Sequence, residues 1–173
     1  MEGNVAIAAS DAGIYVGQSK QVVVRDNRAE YNVAGIEVEN TIGADVYNNI
    51  ANNNTGGILV FNMPSIPQRG YATRVFDNEI HSNNTENFAI PGTAVSGVPA
   101  GSGVVINSND QVEVFNNHFS NNDTANIVIS SYFSANFAGQ RELAAEFDPY
   151  PEEILIYDTV SYTHLTLPTT LVV

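Results

Sequence analysis

Two residue patterns recur along this chain at a fixed spacing, and together they restrict its fold more than any other feature. The first is an apolar residue, any residue, Asp or Asn, then Asn: Val24-Arg25-Asp26-Asn27, Val46-Tyr47-Asn48-Asn49, Val75-Phe76-Asp77-Asn78 and Val114-Phe115-Asn116-Asn117. A further copy opens at Ile156-Tyr157-Asp158 and lacks its final Asn. The second is a short run opening on Gly or Asn: Gly13-Ile14-Tyr15-Val16, Gly35-Ile36-Glu37-Val38, Gly57-Ile58-Leu59-Val60 and Asn126-Ile127-Val128-Ile129. Gly13 to Gly35, Gly35 to Gly57 and Val24 to Val46 are each steps of 22 residues. Strand chemistry repeating at such a period is the signature of a stacked β-solenoid.

Within the coil from Gly35, Ile36 and Val38 alternate with Glu37 and Glu39, so one strand points two apolar side chains inward and two acids outward. After a turn at Asn40 to Gly43, Ala44 and Val46 point in while Asp45 and Tyr47 point out. Asn49 and Asn54 end the next two segments, a pairing repeated as Asn27/Asn32, Asn78/Asn83 and Asn117/Asn122. Three short strands and three turns per coil give a triangular parallel coil whose equivalent residues stack about 4.8 Å apart. Such Asn residues tolerate a left-handed turn and join rungs through their amides, so they are structural. Gly or Asn at positions 13, 35, 57, 87 and 126 fits the same tolerance of positive φ.

The predicted core is Ile14, Val16, Ile36, Val38, Ile58, Val60, Val104, Ile106, Ile127 and Ile129, with a second row of Val22, Val24, Val46, Val75, Val112 and Val114. Later marker steps lengthen to 29 (Val46 to Val75), 39 (Val75 to Val114) and 42 (Val114 to Ile156). The added residues fall at Met63 to Ala72, Pro91 to Ser102 and Tyr132 to Glu152, each expected to follow the Gly-Ile-x-Val strand and overhang one face. The repeat breaks at Asp158-Thr159, and Ser161 to Thr170 resembles translated read-through of a sequencing adapter. Residues 1–158 are therefore expected to form a solenoid fragment open at both ends, and 159–173 a non-native tail, the alternative being a capping strand. Open ends carry a tendency to edge-to-edge self-association.

A net charge of −13 with six Lys and Arg argues against nucleic-acid binding, which requires phosphate neutralisation. The absence of Cys excludes disulfides and thiolate metal sites. No apolar run has the length of a transmembrane segment. The 22 Asn residues recur in register beside Val and Ile, unlike a disordered Asn-rich tract.

The segment from Ala8 to Ser19, followed by Val22-Val23-Val24-Arg25-Asp26-Asn27 and Ala34-Gly35-Ile36-Glu37-Val38-Glu39-Asn40, resembles the exported bacterial parallel β-helix repeat proteins of the pectin-lyase-like superfamily. The likeness spans roughly residues 3–158. It implies an all-β, right-handed parallel β-helix of about five coils, the hand also expected of parallel crossovers. It further implies periplasmic or extracellular localisation, with a signal peptide upstream. The superfamily includes polysaccharide lyases and epimerases as well as members without assigned chemistry, and a shared fold does not carry a shared reaction.

Two function classes follow. In the first, the chain is a non-catalytic, carbohydrate-associated module. The outward residues after each marker, Arg25, Tyr47, Phe76, Phe115 and Tyr157, form a stripe of aromatic faces suited to sugar rings. Tyr15, Tyr47, Phe76, Phe115 and Arg74 are the candidate binding residues, the alternative being a stripe covered by an insertion. In the second, the chain is a polysaccharide lyase, epimerase or hydrolase. Glu37 and Glu39, about 7 Å apart along a strand, are then an acid/base pair, with Lys20, Arg69 and Arg74 as candidate bases. The alternative makes both acids solvated strand residues. His81 and His118 are out of register, so no metal site is assigned, and no cofactor is expected beyond loosely bound calcium at turn carboxylates such as Asp26, Asp77 and Asp110.

Overall fold

The computed structural model describes residues 1–134, 143 and 146–162. Three strands make each coil. β1 (Val5–Ile7), β2 (Ala12–Gly17) and β3 (Lys20–Arg25) open the stack, followed by β4 (Arg28–Glu30), β5 (Ala34–Glu39) and β6 (Ile42–Tyr47). β7 (Ile50–Asn52), β8 (Gly56–Phe61), β9 (Tyr71–Phe76) and β10 (Glu79–His81) follow. The later strands are β11 (Ser102–Asn107), β12 (Glu113–Phe115), β13 (His118–Ser120), β14 (Ala125–Ser130), β15 (Leu155–Tyr157) and β16 (Val160–Tyr162). They form three parallel sheets: a first of order β14-β11-β8-β5-β2, a second of order β15-β12-β9-β6-β3, and a third of order β1-β4-β7-β10-β13-β16. This is a right-handed parallel β-helix of about five coils.

Register follows the repeat. Ile14, Ile36, Ile58, Val104 and Ile127 occupy one inward column, and Val24, Val46, Val75, Val114 and Ile156 another. The predicted core residues are buried, apart from Val22 and Ile129, which are partly buried against the same cluster. Ala29, Ala51, Ile80 and Phe119 supply the third sheet's contribution.

Both Asn columns are continuous hydrogen-bonded ladders. Asn27 donates from backbone N and Nδ2 to Asn49 Oδ1, Asn49 likewise to Asn78, and Asn78 to Asn117, at 2.9–3.1 Å. Asn32, Asn54, Asn83 and Asn122 repeat the scheme at the next corner. The left-handed backbone, however, belongs to the residue before each ladder Asn. Asp26, Asn48, Asp77, Asn116 and Asp158 have φ of 49–56°, which accounts for the Asp-or-Asn preference there. Nor do Gly13, Gly35 and Gly57 serve a positive φ. A Cβ on Gly35 would lie 2.5 Å from Gly57 O, and one on Gly57 2.6 Å from Gly103 O. Glycine is required because the ladder corner and the next rung's backbone pass too close for a side chain. Gly103 holds that column, and Asn87 stands outside it, donating to Val95 O and Val98 O.

The insertions leave from two corners. Residues 62–70 follow β8 and 131–134 follow β14, both strands of the first sheet, as expected, but 82–101 lies between β10 of the third sheet and β11 of the first. They therefore flank the first sheet from both edges. Marker-to-marker counting measures the length of an insertion but not the corner it leaves from.

The coil register also passes the expected boundary at 158. β16 pairs with β13, setting Val160, Ser161 and Tyr162 beside His118, Phe119 and Ser120, because the corner still turns at the left-handed Asp158. The ladder does stop there. Thr159 stands where the next Asn is due, and its Oγ1 is buried without a partner. The rest of the expected tail, 163–173, lies outside the described residues.

Candidate functional site

The first sheet places Glu37 on β5 between Tyr15 of β2 and Leu59 of β8, and Glu39 between Gly17 and Phe61. These side chains point out of the coil but not into solvent. β5, β8 and β11 are buried along their whole length. A second apolar layer of Leu59, Phe61, Val105, Val95 and Val98 lies over the sheet, with Met63 and Ala89 against it. Val95 sits in a short 3-10 turn, Ala94–Gly97, of the 82–101 insertion. The acids are thus not solvated strand residues: Glu37 is 3% exposed and Glu39 9%. A parallel strand covered on both faces is apolar at inward and outward positions alike, and Ile58-Leu59-Val60-Phe61 already carried that signal.

The two carboxyls differ in partners. Glu39 Oε1 accepts from Tyr15 OH at 2.8 Å and Gln18 Nε2 at 3.0 Å, whereas Glu37 Oε2 is buried without a partner. Burial, then the nearby charges of Asp11 and Glu39, pushes the Glu37 carboxyl up to about 8. Burial raises Glu39 as well, with the Tyr15 hydrogen bond opposing it. Burial followed by the bond to Glu39 carries the Tyr15 phenol to about 12. Two of the three candidate bases are engaged elsewhere. Arg74 pairs with Asp45, and Arg69 with Asp110 and Asp148. Lys20 opens β3 on the second sheet. The two acids of the sequence reading are buried neighbours beside an apolar layer, and neither Arg69 nor Arg74 pairs with them.

The other candidates gather on the outer face of the second sheet, except Tyr15, which belongs to the first. Tyr47, Phe76, Phe115 and Tyr157 form a continuous stack with ring centroids 4.8–4.9 Å apart and interplanar angles of 2–13°. Consequently the stripe does not offer aromatic faces. The rings occupy one another's faces, as in-register rungs dictate, and present a rail of edges. Beside the rail runs the column preceding each marker: Val23, Asp45, Arg74, Glu113 and Leu155. Arg74 donates to both Asp45 oxygens at 2.8 and 2.7 Å, and its guanidinium carbon lies 5.6 Å from the Phe76 ring centre. Tyr157 OH donates to Glu113 Oε2 at 3.2 Å. Asp45 and Glu113 were missed as site residues, though strand alternation already put the position before each marker on the same face as the aromatics.

A second left-handed column shapes this face. Gln21, Gly43, Ala72, Gln111 and Glu153, one on each coil, have φ of 52–69° and bend the chain at the start of the second-sheet segment. Stacked along the coil axis, the bend becomes a crease. The crease and the charged column line an open trough of about 770 Å³.

The turn aspartates do not converge. Asn48 separates Asp26 from Asp77 in their column, and Asp110 accepts from Arg69 and from Glu152 N at the opposite corner. His118 aligns with Glu79 and His81 with Ser120, so the two imidazoles occupy different positions. Among the described residues no helix is long and apolar enough to cross a membrane. No curated protein and no solved structure matches this chain. A family model, the right handed beta helix region, matches residues 1–140. Its match joins the ladders, the parallel sheets and the coil register in one conclusion: the chain belongs to the right-handed β-helix family.

Proposed function

We propose that this chain is an exported, periplasmic or extracellular, carbohydrate-associated β-helix module that holds a polysaccharide along the second-sheet trough. The supporting observation is the trough itself. It is open, runs parallel to the coil axis, and sets a rail of aromatic edges beside the polar side chains of Asp45, Arg74 and Glu113 on three successive rungs. An extended glycan offers alternating C–H faces and hydroxyls, which suit an apolar rail and a hydrogen-bonding column respectively. Polysaccharide cleavage or epimerisation, the second reading, draws on Glu37 and Glu39. It would require the cover of the first sheet to open, because both acids are buried beside its outer apolar layer. A glycan array tests the proposal with wild type, Phe115→Leu and Glu113→Ala. Binding to at least one glycan, weakened by both substitutions, is the expected result. Binding unchanged by both removes the trough from consideration.

A further inference from the structure

The charges of the trough are arranged in order and are unequally satisfied. Asp45, Arg74 and Glu113 stand on successive rungs. Arg74 is committed sideways, its Nε and one terminal nitrogen bonded to the two Asp45 oxygens in the bidentate geometry that suits guanidinium and carboxylate. An incoming carboxylate would have to displace Asp45 to reach it. Glu113 receives the Tyr157 hydroxyl, and among the described residues neither Glu113 nor Glu153 forms an ion pair. Both line the same trough. What the trough offers a ligand is therefore carboxylate that forms no ion pair of its own, Glu113 meeting Arg74 only as a neighbouring charge, together with a cation already bonded to Asp45, on a chain of net charge −13.

Resting on the reading that the trough binds a glycan, we propose that it selects amino-sugar polymers. Their protonated amino groups meet Glu113 and Glu153, and Asp45, by occupying Arg74, excludes chains of uronic acids. An ammonium displaces nothing on arrival and gains charge-assisted bonds to carboxylate oxygens. A uronate chain meets repulsion from the acids on either side of Arg74 and breaks an existing ion pair. Asp45 is thus a specificity residue that acts through Arg74.

Titration calorimetry with oligosaccharides of glucosamine, glucose and galacturonic acid tests this on wild type, Asp45→Ala and Glu113→Gln. Wild type should bind the glucosamine oligomer roughly tenfold more tightly than the galacturonic acid oligomer, a preference that shrinks as salt rises. Asp45→Ala, by freeing Arg74, should strengthen galacturonate binding by roughly fivefold or more. Glu113→Gln should weaken glucosamine binding by a similar factor, and by more than it weakens binding of the glucose oligomer. Wild type binding all three oligomers equally, or Asp45→Ala gaining nothing for galacturonate, overturns the selectivity while the glycan reading stands. Absence of binding by any oligomer to any of the three proteins removes the glycan reading and the selectivity with it.

Discussion

A ladder asparagine does more than fill a turn. Asn78 donates through Nδ2 to Val46 O at 2.9 Å and Asn117 Oδ1 at 2.9 Å, and its own Oδ1 accepts two bonds from Asn49 at 3.0 Å. All of these groups are buried, so removing the amide strands donors and acceptors on both neighbouring rungs. Asn78→Ala is expected to destabilise the protein by roughly 3–4 kcal/mol in urea unfolding. Asn4, an exposed member bonded to Asn27 alone within the ladder, should cost less than about 1 kcal/mol on the same substitution. Equal losses at both positions would contradict the ladder's role. The ladder Asn residues were legible in the sequence because their spacing repeats. The left-handed angle of the residue before each one was not, since Asp and Asn suit turns of several kinds.

At the level of strands, the first and second sheets show why some of the site could be read from the chain and some could not. Alternation correctly placed Glu37, Glu39, Tyr47 and Phe76 on outer faces. What lies above an outer face is decided by insertions that carry no repeat, and these cover the first sheet and leave the second open. The stacking of the rings on one another followed from the rung spacing and was still misread as a stripe of free faces. The cover has a measurable consequence on β5. Glu37 has a folded-state pKa near 8, above its ordinary value of 4.5, so the native state binds its proton more tightly than the unfolded chain does. Its stabilising contribution is full below about pH 4.5 and is lost as pH rises through about 8. Glu37→Gln should therefore leave stability at acid pH nearly unchanged and raise it at pH 8 and above, flattening this part of the pH profile. Thermal unfolding across that range checks it, and a variant with wild-type pH dependence would show that the carboxylate is solvated.

Across the whole molecule, the three faces of one coil have been given different work by residues outside the coil's interior. The third sheet closes the core with Ala29, Ala51, Ile80 and Phe119. The first is sealed by an outer apolar layer, and the second is creased by its left-handed column into a trough. Fold was legible because a repeating core reports itself at every turn. The division of labour among faces was not, because it depends on single-copy loops and on a backbone bend that Gln21, Gly43, Ala72, Gln111 and Glu153 share without sharing a side-chain type. The most direct test of that division is to locate a bound glycan by amide chemical-shift mapping, using the tightest-binding oligosaccharide from the array. Perturbations concentrated on Asp45, Tyr47, Arg74, Phe76, Glu113 and Phe115, with Glu37 and Glu39 undisturbed, are the predicted result. Perturbations centred on Glu37, Glu39 and the 82–101 segment would contradict it and place the working face on the first sheet.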